Sequence, residues 1–269
     1  MTIEQLITHN PDEKPLENLV TDGGFCGIFR TIACVGDSLS SGEFESLNEK
    51  DEKGYHDMFE YSWGQYFARM AGCTVYNFSA GGMTAGTYMH SFAQEKGYWD
   101  KDKAAQAYII ALGVNDLSTW RPDITPGDID DIDLNDYRNN RDTFVGNYAA
   151  IIQRYKEIQP HAKFFLVTRP KTDETGEGKR FCELQSTLVK KIAPLFDNTY
   201  VIDLYEYAPV RDAQYGKEFW LGGHMSPAGY LALGKIMTSY VDYIIRHNMD
   251  DFKQVGFIGK DFYNKNYKR

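Results

Sequence analysis

The stretch "TIACVGDSLSSG", residues 31–42, runs from a strand signal straight into a candidate site. Thr31–Val35 is a short apolar run with β-branched residues, the pattern of a buried strand. It ends at a glycine turn, and Ser38 follows where the chain leaves the strand. Four further runs share this character: "TVYNF" (74–78), "AYIIAL" (107–112), "KFFLVT" (163–168) and "TYVIDLY" (199–205). Helical patterns separate them at 62–72, 83–94, 143–158, 179–196 and 227–247; in the first, Trp63, Tyr66, Phe67 and Met70 recur at spacings of three and four. Continuous apolar strands alternating with helices specify an α/β fold, a mostly parallel five-stranded sheet covered on both faces. Ligands in such folds sit beyond the carboxyl ends of the strands, so the residues after each strand are the ones to inspect.

After the first strand comes Ser38, on the turn "GDSLSSG". After the second comes "NFSAGGMTAG", where adjacent glycines let backbone N–H groups turn outward as an anion donor site. After the third comes "LGVND", in which Asn115 offers a neutral amide donor. Near the end, "FWLGGHMSPAGY" (219–230) fixes His224 in a glycine-rich turn, with Ser226 as N-cap and Pro227 at the first position of the last helix. Each fragment alone reads as ordinary turn chemistry. Together, a serine, a donor turn, an asparagine and a histidine follow separate elements in the order that acyl transfer needs.

At these four blocks the chain resembles the SGNH hydrolases, also called the GDSL family of esterases and lipases. The matching residues are "GDSLS" around Ser38, "SAGG" with Gly82, "GVND" with Asn115 and "GGHMSPAGY" with His224. The resemblance implies a flavodoxin-like three-layer α/β/α sandwich. The chain reads as a single such domain over residues 1–269, with 1–30 as an N-terminal extension and 248–269 as an aromatic, mildly basic tail that either straps onto the body or makes a subunit contact. It implies Ser38 as nucleophile, His224 as base, and an oxyanion hole from the Ser38 and Gly82 backbone N–H groups and the Asn115 side chain. Gly81 competes with Gly82; the frame Asn77 to Thr84 favours Gly82.

One position departs from the family. An aspartate normally stands three residues before the histidine, and here that residue is Leu221. The reading is a Ser–His dyad whose Nδ1–H is held by a backbone carbonyl. Asp212 and Glu218, just ahead of the turn, are the alternative acid supports, while Asp203 reads as a cap or loop brace.

Composition narrows the function class. A net charge of −9 and a pI near 5.2 argue against nucleic acid and anionic membranes as partners. A small, neutral or weakly charged ester fits better. No basic start with an apolar core opens the chain, and the four cysteines are scattered, so the expectation is a cytoplasmic protein with reduced thiols. No metal or cofactor is expected: "DIDDIDLND" lacks the glycine and terminal glutamate of a calcium loop, and no HExxH or Walker pattern occurs. The sequence-level conclusion is an esterase for small acyl groups, acetyl above all, on carbohydrates. Trp99, Trp120 and Trp220 fall near the top-edge loops, where flat rings stack on sugars or simply pack. An O-acyltransferase and a non-catalytic carbohydrate-binding protein are the rival readings, and a homo-oligomer stays open.

Overall fold

The computed structural model describes residues 1–7, 10 and 12–267; the N-terminal extension and the C-terminal tail thus lie partly outside the described residues. The strands are β1 (Thr31–Gly36), β2 (Glu43–Leu47), β3 (Lys53–Asp57), β4 (Thr74–Ser79), β5 (Ala107–Ala111), β6 (Lys163–Val167) and β7 (Thr199–Ile202). Five of them form one sheet in the order β4-β1-β5-β6-β7. Every pairing in it is parallel. The fold is a flavodoxin-like α/β sandwich, and its chain order reverses between β1 and β5, where such sheets open a crevice at their carboxyl edge.

Two-residue periodicity explains why the strands are apolar throughout. Ile32, Cys34, Ile109, Phe165 and Ile202 pack on the helices Trp63–Ala71 and Pro227–His247. Their neighbours Ala33, Val35, Tyr108, Ile110, Phe164 and Leu166 enter the other core, under Phe144–Ile158 and Glu177–Ile192. Both faces are buried, so the middle of each strand is apolar and polar residues such as Thr31, Asn77 and Lys163 fall toward its ends or on the edge strand.

Three expectations shift in detail. The 83–94 pattern is a broken helix, Ala85–Thr87, a π turn at Tyr88–Phe92, then Ala93–Glu95. The last strand stops at Ile202 because Asp203 caps the turn Leu204–Tyr207, its side chain accepting from Glu206 N. The segment 43–57, where the sequence showed no strand pattern, is the β2–β3 antiparallel hairpin. The Asp-rich loop is consumed internally: Asp131 accepts from Thr143 and Arg141, Asp133 from Asn139, and Asp128 pairs with Lys191.

The N-terminal segment and the last long helix are joined by a buried ion network. Arg246 donates to both Glu13 oxygens, at 2.6 and 2.9 Å, and through Nε to Asp242 at 2.8 Å. Asp242 in turn accepts the Phe25 N–H at 2.7 Å. Glu13, Asp242 and Arg246 are only 4%, 3% and 6% exposed, so truncating the arginine strands two carboxylates away from water. Arg246→Ala should therefore lower unfolding stability by about 3–5 kcal/mol. Urea unfolding is the check, and a loss below about 1 kcal/mol would mean that the network behaves like a screened surface pair.

Candidate active site

Ser38 is the first residue of the single turn Ser38–Ser41 that caps β1. Asp37 is its N-cap and accepts the Leu39 N–H at 3.1 Å, which pins the turn against the strand end. Asn115 follows β5, the neighbouring strand. Its Nδ2 donates to Met83 O at 3.0 Å, and Asp116 accepts Ala85 N–H at 2.8 Å. These two bonds staple the "GVND" block to the "SAGG" block. Gly82 adopts a left-handed φ of 70° in that turn, next to the Met83 carbonyl that holds Asn115.

His224 comes from the other end of the chain. It lies in a two-residue antiparallel ladder, β8 (Trp220–Leu221) with β9 (His224–Met225), just before the 227–247 helix. Ser226 accepts Gly229 N–H and Pro227 takes the first helical position, as its sequence requires. Ser38, Asn115 and His224 line one cleft of about 500 Å³. Gly82 is not among the residues that line it and lies in the adjoining turn, which Asn115 holds through Met83 O.

The groups on the imidazole are not those that the sequence suggested. Nδ1 lies 3.3 Å from Glu45 Oε1, and Nε2 lies 3.0 Å from Glu43 Oε1. Asp212 instead caps the helix Ala213–Phe219, accepting Tyr215 N–H, and Glu218 accepts from Gln214. Leu221 stands directly across the ladder from His224 and is 50% exposed. The sequence reading missed both hairpin glutamates. The signal was "GEFES": positions two apart on a strand share a face.

Each glutamate occupies space that a glycine leaves open. A Cβ on Gly81 would meet Glu43 Oε2 at 2.1 Å, and one on Gly223 would meet Glu45 Oε1 at 2.2 Å. The Gly223 N–H donates to Glu45 at 2.7 Å and Lys53 Nζ at 3.0 Å. Lys53, then the Gly223 and His224 hydrogen bonds, hold the Glu45 carboxyl below the ordinary range. Glu43 shifts the other way: burial pushes it up, Asp57 and Glu45 add to this, and His224 opposes it. Of the two, Glu45 holds its charge the more firmly, and it is the one that faces Nδ1.

The tryptophans divide. Trp99 is a correction: it is 8% exposed, packed on Tyr88 and Tyr155, and is core. Trp120, 66% exposed, and Trp220 line the cleft. Two arginines that the sequence reading passed over also line it, Arg169 directly after β6 and Arg211. Scanning the residues after "KFFLVT" would have found the first.

The sequence model of the GDSL-like Lipase/Acylhydrolase family matches residues 34–232. Among similar solved structures is a protein from Lactobacillus plantarum, at 17% identity and a TM-score of 0.58, covering 80% of this chain and 97% of that one. A family two carbohydrate esterase from Clostridium thermocellum, in complex with cellohexaose, matches at 19% identity and 0.55, covering 89% and 66%. Est24, a carbohydrate acetylesterase from Sinorhizobium meliloti, matches at 16% and 0.54, covering 80% and 99%. No curated protein sequence matches.

Burial pushes Asp37 up from 3.8 to about 7, with Asp116 adding to the effect and the Leu39 hydrogen bond opposing it. A carboxyl whose pKa is raised by folding stabilises the fold below its unfolded value and loses that contribution as pH climbs to its folded value. Stability should thus fall between pH 4 and 7 through Asp37, by up to about 1.4 kcal/mol per pH unit, and level off above. Asp37→Asn keeps the acceptor for Leu39 and should flatten this slope in denaturation measured across that window. Parallel parent and variant curves would show that Asp37 is ionised throughout.

Proposed function

The chain belongs to the GDSL-like lipase/acylhydrolase family, and from that premise we propose a serine esterase that removes small acyl groups, acetyl above all, from carbohydrates. The observation that carries the reading is that Ser38, Asn115 and His224, from three distant blocks of sequence, line one cleft. The carbohydrate esterases among the similar structures and the exposed Trp120 ring support the choice of alcohol.

Ser38 Oγ attacks the acyl carbonyl and passes its proton to His224 Nε2. The oxygen that turns negative receives the Ser38 and Gly82 N–H groups and the Asn115 amide. Asn115 has two amide hydrogens, and the one bound to Met83 O leaves the other for this task. The imidazolium then protonates the leaving alcohol, and water repeats the sequence on the acyl-serine. Glu45 fills the place of the missing aspartate: it fixes the tautomer through Nδ1–H and stabilises the imidazolium. Glu43 occupies Nε2 in the resting state and must release it before the Ser38 proton can be taken.

Ser38→Ala should abolish hydrolysis of aryl acetates and acetylated sugars in a folded protein, and Asn115→Ala should lower kcat by about a hundredfold or more with little change in KM. Ser38→Ala activity within a few-fold of the parent would sink the esterase mechanism.

Glu45→Gln should cost at least ~100-fold in kcat, because an amide no longer enforces the Nδ1–H tautomer. Asp212→Asn and Glu218→Gln should stay near the parent. The reverse pattern, a large loss in either of those with Glu45→Gln nearly unaffected, would return the acid's role to the residues beside the turn.

A further inference from the structure

The cleft that holds Ser38 and His224 also holds two guanidinium groups that no carboxylate neutralises. Arg169 and Arg211 form no ion pair within 4 Å among the described residues. Arg169 Nη1 reaches Leu117 O at 3.5 Å, and its buried Nε has no acceptor among the described residues. Arg211 sits over the Trp220 ring, 4.1 Å from guanidinium carbon to centroid. Burial holds the Arg211 pKa below its ordinary value, and the charge of Arg169 adds to this, so each cation feels the other. The acids around them do not cancel the pair. Glu174 lines the cleft but is exposed, and Asp37, near Arg169, keeps its proton up to about pH 7 through burial. Cys182 and Tyr215 are the remaining titratable groups that Arg211 senses, and both are neutral at pH 7. Arg121, Arg138 and Arg180 on the surface each hold a carboxylate, whereas Arg169 and Arg211 face each other in the cleft.

Two like charges, half-buried and side by side, oppose each other unless an anion completes the set. Planar guanidinium forks match the oxygens of a carboxylate or phosphate. We propose that Arg169 and Arg211 form an anion subsite, and that the substrates are acyl esters of acidic sugars, with a carboxylate or phosphate on the alcohol part. The inference rests on the esterase reading in one respect: an acetyl group has no room for a charge, so the anion belongs to the sugar. It narrows the neutral or weakly charged substrate that the overall charge of −9 suggested to an anionic one, since the cleft is locally basic in an acidic protein.

The test compares acetylated glucuronic acid, acetylated glucose 6-phosphate and acetylated glucose as substrates for the parent, Arg169→Gln, Arg211→Gln and the double variant. The parent should favour one anionic sugar over glucose by about tenfold or more in kcat/KM, the ratio of a single charge-assisted hydrogen bond. The preference should sit mainly in KM, weaken with added salt, shrink in each single variant and vanish in the double. Arg→Lys variants should keep part of it. Which acidic sugar wins identifies carboxylate or phosphate as the bound group. Equal kcat/KM on all three sugars in the parent, or a preference untouched in the double variant, overturns the subsite. Calorimetric binding of free glucuronate, glucose 6-phosphate and glucose to Ser38→Ala gives a readout independent of turnover. Failure of the parent on every ester, aryl acetates included, would sink the esterase reading, whereas failure of both anions to bind better than glucose would sink the subsite alone.

Discussion

Parallel pairing is the constraint on which the site depends. All five strands of the sheet run the same way, so all five carboxyl ends lie on one edge, and the register sets Gly36 beside both Ser79 and Ala111. The loops that carry Ser38, Gly82 and Asn115 therefore start as neighbours before any side chain contributes. The Asn115–Met83 and Asp116–Ala85 bonds then lock two of them together. His224 is delivered to the same edge by the last helix, and Tyr230 of that helix donates to Glu43 O at 2.8 Å, tying it to the hairpin beside Ser38. A slip of one residue in a strand would exchange the two buried faces, so the cores hold the register that the site needs.

The hairpin solves the problem posed by Leu221 with the alternation of a β-strand. Phe44 turns one way and packs edge-on against Tyr61 and Tyr230, with ring centroids at 5.9 and 5.5 Å. Its neighbours Glu43 and Glu45 consequently turn the other way, toward the imidazole. Packing of one aromatic ring thus positions two carboxylates. Leu221 needs no polar role because Glu45 reaches Nδ1 from a separate element, and Gly223 provides both the room and an N–H for it.

The central sheet was legible in the sequence because burial on both faces leaves an uninterrupted apolar run in each strand. The Ser226–Pro227 start of the last helix was equally plain, since capping chemistry is local. The hairpin was not legible. Its strands read "EFESL" and "KGYHD", pair only with each other and leave β3 mostly exposed, so no apolar pattern marks them. The acid at His224 was missed for the related reason that proximity in sequence pointed to Asp212 and Glu218, whose side chains serve their own helix. Trp99 failed as a site residue because a post-helix position says nothing about depth; it closes a core of stacked tyrosines instead. Arg169 obeys the same rule as Ser38 and Asn115, since it follows the carboxyl end of β6.

The two sets of charge in the cleft bear on each other. In the proposed mechanism, guanidinium groups that gather an anionic substrate would also disfavour an imidazolium at His224. A histidine held only by a neutral carbonyl would meet that cost with little help. Glu45, kept ionised by Lys53 and the Gly223 N–H, places a negative charge on the ring where the positive charge develops. Glu43, whose carboxyl burial pushes the other way, stands at Nε2. On this account the basic subsite and the hairpin acid are one arrangement: a cleft that collects cations for its substrate has more need of a carboxylate at its base, and this chain supplies it from a strand rather than from the turn.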